Sequence, residues 1–186
     1  MSKHKMISLP AISILAFLVV FGFLKTSYAA SAKEIDSRVD TALKRFYNEV
    51  SGGKNFLQNA KGVLVFPKVI KAGFGIGGEY GEGALRIGGR TVDYYSTAAA
   101  SIGFQLGAQS RIVVLVFLDK QVLTKFRNSS GWEVGVDGSV AFITVGAGGS
   151  IDSSNVQNPI VGFIFGNKGL MYNLTLEGSK FTRLKR

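Results

Sequence analysis

Four carboxylates sit where chemistry is conceivable: Glu79, Glu82, Asp93 and Asp137. Two of them at a suitable separation would make the acid and base, or acid and nucleophile, of a glycosidase-like hydrolase. Glu79 and Glu82 fall in a glycine-rich stretch that reads as a turn with solvated acids. Asp137-Gly138 reads as turn chemistry. Little else supports catalysis. The chain has no cysteine and one histidine, His4, which precedes the folded part. Thiolate chemistry is absent, and the folded part has no Ser-His-Asp set and no histidine-ligated metal site. Gly73, Gly75 and Gly78 satisfy G-x-G-x-x-G, and Asp93 lies twenty residues past Gly73. That imitates a dinucleotide fingerprint. The true motif opens a helix after a parallel strand. Here further glycines follow, and strand pattern returns at Ala84–Ile87. No nucleotide, metal or other cofactor is expected, and the chain reads as a non-enzyme.

The cations are more informative. Lys3 and Lys5, the apolar run Ala11–Leu24 and Ser27-Tyr28-Ala29 form the three parts of a secretory signal. The apolar run is too short for a comfortable span. We expect residues 1–29 to be a signal peptide cleaved after Ala29, and residues 30–186 to be one exported domain, periplasmic or envelope-associated. The mature chain carries 19 basic and 12 acidic groups, net +7. The excess is concentrated. Residues 51–78 hold Lys54, Lys61, Lys68 and Lys71 with no acid, and the end holds Lys180, Arg183, Lys185 and Arg186 with no acid. Clustering of one sign suits an anionic partner. Nucleic acid is not expected, since no recognition motif or basic-aromatic repeat is present.

The elements that must position these groups are one helix and many strands. Ile35, Val39, Ala42, Leu43, Phe46 and Val50 recur at helical spacing across Ser31–Val50. Ser31 and Glu34 fit a capping box. The polar face of this helix is electrically balanced, which favours packing on a sheet over lying in a membrane. A short second helix is expected over Lys54–Ala60. Strands are expected at Gly62–Phe66, Gly73–Tyr80 and Ala84–Ile87, with Gly81–Gly83 and Gly88-Gly89 as turns. Further strands follow at Thr91–Tyr95, Ser101–Leu106 and Arg111–Leu118, the last the most buried. Lys120–Phe126 reads as a helical turn or two. Trp132–Val145 reads as a long alternating strand bent at Gly138, Ala147–Asn158 as a loop, and Pro159–Phe165 and Leu170–Leu176 as strands. Glycine numbers 24 of 186 residues, about twice the usual ~7%. Its alternation with apolar residues at Gly73, Gly75 and Gly77 leaves one strand face bare, for close approach of backbone or a sharp bend. The fold class is therefore α+β: an N-terminal amphipathic helix packed on a strongly curved, glycine-rich antiparallel sheet or partly closed barrel.

Four stretches together carry a resemblance: KGVLVFPKVIKAGFGIGGEYGEG at 61–83, YYSTAAASIGFQLGAQS at 94–110, SSGWEVGVDGSVAF at 129–142 and GFIFGNKGLM at 162–171. They resemble the SYLF domain family, in its bacterial exported stand-alone branch. The resemblance implies phospholipid binding, with phosphoinositides as the ligand and actin as a partner in eukaryotic members. Those members use a basic N-terminal segment, whereas residues 31–50 here carry four bases and four acids. Actin is not expected in a bacterial envelope. The function expected is binding of an anionic phospholipid membrane surface through Lys68, Lys71, Lys180, Arg183, Lys185 and Arg186. The alternatives are a structural envelope protein without a lipid ligand and, further off, the carboxylate-based hydrolase.

Overall fold

The structure is a computed structural model and describes residues 30–144, 158–169, 176 and 178–186. Its first element is helix α1, Ala32–Glu49. The Ser31 hydroxyl caps it by accepting from the Glu34 N–H at 3.2 Å. Ile35, Val39, Ala42 and Phe46 form its buried stripe, at the expected helical spacing. A second short helix, α2, Gly53–Gln58, buries Phe56.

Two very long strands follow, β1 at Gly62–Ile87 and β2 at Arg90–Phe117. They pair antiparallel along their length. Gly88 and Gly89, both at positive φ, make the two-residue turn. A strand of this length would run roughly 85 Å if straight. Instead it folds over. Its register shifts between Phe66 and Val69, between Phe74 and Ile76, and between Leu85 and Arg86. The second limb of β1 lies against the first, backbone to backbone. A Cβ on Gly81 would sit 2.8 Å from the Lys68 carbonyl oxygen, and one on Gly83 would sit 2.1 Å from that of Val65. At the crease, a Cβ on Gly73 would lie 2.5 Å from the Gly77 Cα. Of the bare face expected at Gly73, Gly75 and Gly77, Gly73 has backbone against it. The expected turn at Gly81–Gly83 is corrected: those glycines continue the strand and make room for the fold-over. The separate strands expected between residues 91 and 118 are likewise one strand, β2.

Helix α3, Lys120–Asn128, follows β2, capped by Asp119. The remaining strands are β3 (Trp132–Glu133), β4 (Ala141–Thr144), β5 (Ile160–Gly169) and β6 (Lys180–Leu184). Among the described residues the order is β3-β6-β2-β5-β4, with β1 on the other edge of β2. One edge of β2 therefore serves two partners, β6 at Tyr94–Ala98 and β5 at Gln109–Phe117. All pairs are antiparallel except β4 with β5, which run parallel. The sheet is mixed at that edge, where an antiparallel one was expected. The long strand expected over Trp132–Val145 is also corrected. The Asp137 carboxylate accepts from the Glu133 N–H at 2.7 Å and Gly135 takes φ 87°, so a tight turn divides it. The expected last strand at Leu170–Leu176 and the loop at Ala147–Asn158 lie almost wholly outside the described residues.

Two apolar layers result. Inside the curl, Leu64, Phe66, Leu85, Tyr95, Leu115, Phe117 and Phe181 cluster with Phe126 of α3 and with Trp132. On the outer face, Val65, Val114 and Phe163 stand in one cross-strand row. Phe46 of α1 and Phe56 of α2 meet Phe163 at 5.1 and 5.5 Å between ring centres. Asp36 pins the start of α1 to the hairpin end, accepting from the Thr91 hydroxyl at 2.6 Å and the Tyr94 hydroxyl at 2.9 Å. Arg86 reaches Asp36 and Asp40 from the same place. The helix packs on the sheet, as its balanced polar face implies.

A candidate anion-binding groove

Two bulges face each other across the middle of the sheet. On β1, Pro67 and Lys68 together oppose the single residue Ile112 of β2. On β5, Gly166 and Asn167 oppose Arg111, and Gly166 takes φ 64°. Each is the two-against-one count that bends a strand and re-aims its side chains. Proline is tolerated at such a position because the ladder is interrupted there. Helix α1 runs past the bulges and leaves a groove. One hollow of about 280 Å³ is lined by Ser37, Arg38, Thr41, Ala42, Arg45, Pro67, Lys68 and Ile112. A second of about 250 Å³ shares Arg45, Pro67, Lys68 and Ile112 and extends to Ser110, Gly166 and Lys168.

The groove is cationic. Lys68 and Lys168 are exposed, and neither has an ion pair among the described residues. Arg45 lies across the bulge of β5. A Cβ on Gly166 would be 2.8 Å from its guanidinium, so glycine here both permits the backbone turn and leaves room for the arginine. Arg45 is held by Glu49 at 2.8 Å and Arg38 by Glu34 at 2.5 Å, both along the helix. In register with Lys168 and Ser110 stands Ile70 of β1, an exposed apolar residue. Cations with an adjacent exposed aliphatic side chain can meet a charged surface and its apolar margin together.

The six cations expected to meet lipid are dispersed. Lys68 is in the groove. Lys71 is buried, 6% exposed, in register with Gln109. It faces the inside of the curl with Arg111 and Glu79, which form an ion pair of 2.6 Å with side chains 1% and 4% exposed. The terminal four lie on or just past β6. Arg183 donates to the Arg127 carbonyl at 2.7 Å and approaches Asp93 at 3.4 Å. Arg186 pairs with Glu82 at 2.9 Å. Lys180 and Lys185 are exposed. The tail is thus a paired strand with half of its cations engaged internally. Arg45 and Lys168 were missed in the sequence; each is isolated there, and only the packing of α1 on β5 brings them together.

The candidate catalytic carboxylates are all engaged. Glu79, expected to be solvated in a turn, is buried against Arg111. Glu82 also accepts from the Tyr80 hydroxyl at 2.8 Å. Asp93 pairs with Arg127 at 2.8 Å, and Asp137 holds its own turn. Burial pushes the Tyr95 phenol above its ordinary value, opposed by the Arg183 guanidinium. Among the described residues no group of acidic, histidine or cysteine side chains is arranged to hold a metal ion. No described helix is long and apolar enough to cross a membrane.

A helix-backed, curled α+β sheet with a basic groove at paired bulges defines the class: a domain whose surface offers charge recognition. Residues 98–186, just under half of the chain, match the Ysc84 family model, described as Las17-binding protein actin regulator. The match is consistent with the SYLF resemblance of the sequence. It covers Ser110, Ile112, Gly166 and Lys168 of the groove; Arg45, Pro67 and Lys68 precede it. No curated protein matches the chain.

Proposed function

We propose that this chain is a non-enzymatic, exported domain that binds anionic phospholipid at a membrane surface through the groove between α1 and the two bulges. The single observation that carries this reading is the convergence of Arg45, Lys68 and Lys168, from three distant parts of the chain, on one groove with Ile70 beside it. Lipid and actin binding are known in the family; after export the chain would not meet actin, so lipid is the partner we assign. Each lysine or arginine near an anionic surface contributes about 1 kcal/mol, and salt reduces it. Three such groups give reversible attachment, to which Ile70 adds an apolar contact.

The test is sedimentation with phosphatidylcholine vesicles with and without phosphatidylglycerol. The wild type should bind only the anionic vesicles and leave them near 0.5 M salt, where the screening length is a few ångströms. Lys68→Glu with Lys168→Glu should abolish binding. Lys180→Glu with Lys185→Glu should reduce it far less. Binding lost equally in both pairs would refute the groove and leave a diffuse charge effect. No binding at any salt would favour a structural envelope protein whose glycines serve only the folded-over sheet. Export is checked separately: intact mass of the envelope-fraction protein should show a chain starting at Ala30, and a full-length species in the membrane would refute cleavage.

A further inference from the structure

The groove contains its own competitors. Arg45 and Arg38 line it, yet each already holds a carboxylate, Glu49 and Glu34, one helical turn away. Both acids are substantially exposed, 40% and 48% at the side chain. Exposed pairs of this kind are weak, so a phosphate oxygen arriving between Lys68 and Lys168 can replace Glu49 on the Arg45 guanidinium at small cost. Arg45 need not travel to do so. Its guanidinium already overlies Gly166, in the hollow that Lys68 and Lys168 also line. The acid, on the last turn of the helix, is the group free to swing aside.

We infer that Glu49 sets the affinity of the groove as an internal counter-ion, displaced from Arg45 by the phosphate of an anionic ligand. The inference rests on the groove being the lipid-contacting surface. It makes Glu49 a tuning residue, and it fits an α1 that is electrically balanced although two of its arginines line a binding surface.

Glu49→Gln should raise affinity for phosphatidylglycerol-containing vesicles about fivefold at low salt, the worth of one released cation near an anionic surface. The control is Glu133→Gln, which makes the same charge change on β3, at the edge of the sheet beyond β6. It should leave affinity unchanged. Equal gains in the two variants would reduce the effect to net charge and overturn the inference. A loss of affinity in Glu49→Gln would also overturn it, by showing that Glu49 positions Arg45 for the ligand. In Arg45→Gln, the Glu49→Gln gain should vanish; a gain that persists there refutes the displacement step. Glycerol phosphate in solution is the second probe. Competition by millimolar glycerol phosphate, stronger in Glu49→Gln, assigns the headgroup phosphate as the displacing group. Competition equal in both proteins overturns that assignment. If Lys68→Glu with Lys168→Glu leaves vesicle binding intact, the groove itself fails and the inference falls with it. If that pair abolishes binding and Glu49→Gln gives no gain, the inference alone fails.

Discussion

Gly83→Ala is the perturbation that reaches furthest into this fold. The added methyl would stand 2.1 Å from the Val65 carbonyl oxygen and 2.8 Å from the Phe66 ring. Contacts of this kind are not tolerated under about 3.0 Å, so the carbonyl must retreat by about 0.9 Å. The ring can turn, but the carbonyl belongs to a strand paired with β2 through Val65 and Val114. Moving it means opening the two limbs of the folded-over hairpin. Overpacking costs about 1–3 kcal/mol, and a backbone obstacle belongs at the upper end. For a domain of this size 3 kcal/mol lowers Tm by about 6–12 °C. Gly78→Ala is the matched control. It makes the same change on the same strand, where the nearest atom, the Ala99 carbonyl oxygen, is 3.9 Å away. Its stability should change by no more than the ~0.5 kcal/mol of an ordinary surface change, about 1–2 °C in Tm. Thermal melts of the two variants and the wild type, followed by circular dichroism, decide the matter. Equal melts for Gly83→Ala and wild type would refute the backbone-to-backbone packing, and with it our account of the glycine content.

Three further outcomes are expected. Arg111→Met should lose about 3–5 kcal/mol in urea unfolding, because the Glu79 carboxylate stays buried without its guanidinium, whereas Arg111→Met with Glu79→Met should recover most of it; additive losses would show that the pair is not coupled. Asp36→Ala removes an acceptor shared by Thr91, Tyr94 and Arg86 and should cost about 1–3 kcal/mol, with amide exchange in the first turns of α1 accelerating most; uniform acceleration would place the loss elsewhere. Tyr95 has a folded pKa raised above its ordinary value, first by burial. Its contribution to stability is therefore complete below about pH 10 and lost as pH rises through the higher folded value. Tyr95→Phe should flatten the alkaline limb of a stability-versus-pH curve, and an unchanged limb would refute this.

The helices were legible because their signals are local. A cap, a 3.6-residue stripe and a following glycine pair define α1 without reference to anything else. The sheet was legible as sheet, yet not in its continuity. Gly81 and Gly83 carry the composition of a turn, and only the opposite limb of the same strand shows that they are spacers. Lys71 was within reach. Lys68 and Lys71 are three residues apart, and an odd separation along a strand puts side chains on opposite faces; treating them as one surface pair ignored that alternation. The proline at 67 also signalled an irregularity at Lys68. Arg45 and Lys168 were out of reach, because no periodicity relates residues that far apart. The C-terminal cations read as an acid-free cluster facing a membrane, but Phe181 between Lys180 and Thr182 is the strand's one buried anchor, and its alternation was there to be seen.

That anchor has a consequence for how the chain folds. The β1–β2 hairpin needs only its own turn to begin zipping. Strand β6 must instead find Tyr94–Ala98 across nearly ninety residues of chain, then accept β3 on its other side. Pairings so remote in sequence form slowly, because the closure entropy is lost before the contact repays it. Until β6 docks, the ring of Phe181 is missing from its place between Phe66 and Trp132, on which it stacks at 5.4 and 5.9 Å. An aromatic slot and the free edge of β2 then stand open side by side. The interval between hairpin formation and β6 docking is the chain's period of greatest exposure to aggregation, and a second molecule's Lys180–Leu184 segment is the strand best shaped to fill the slot by mistake.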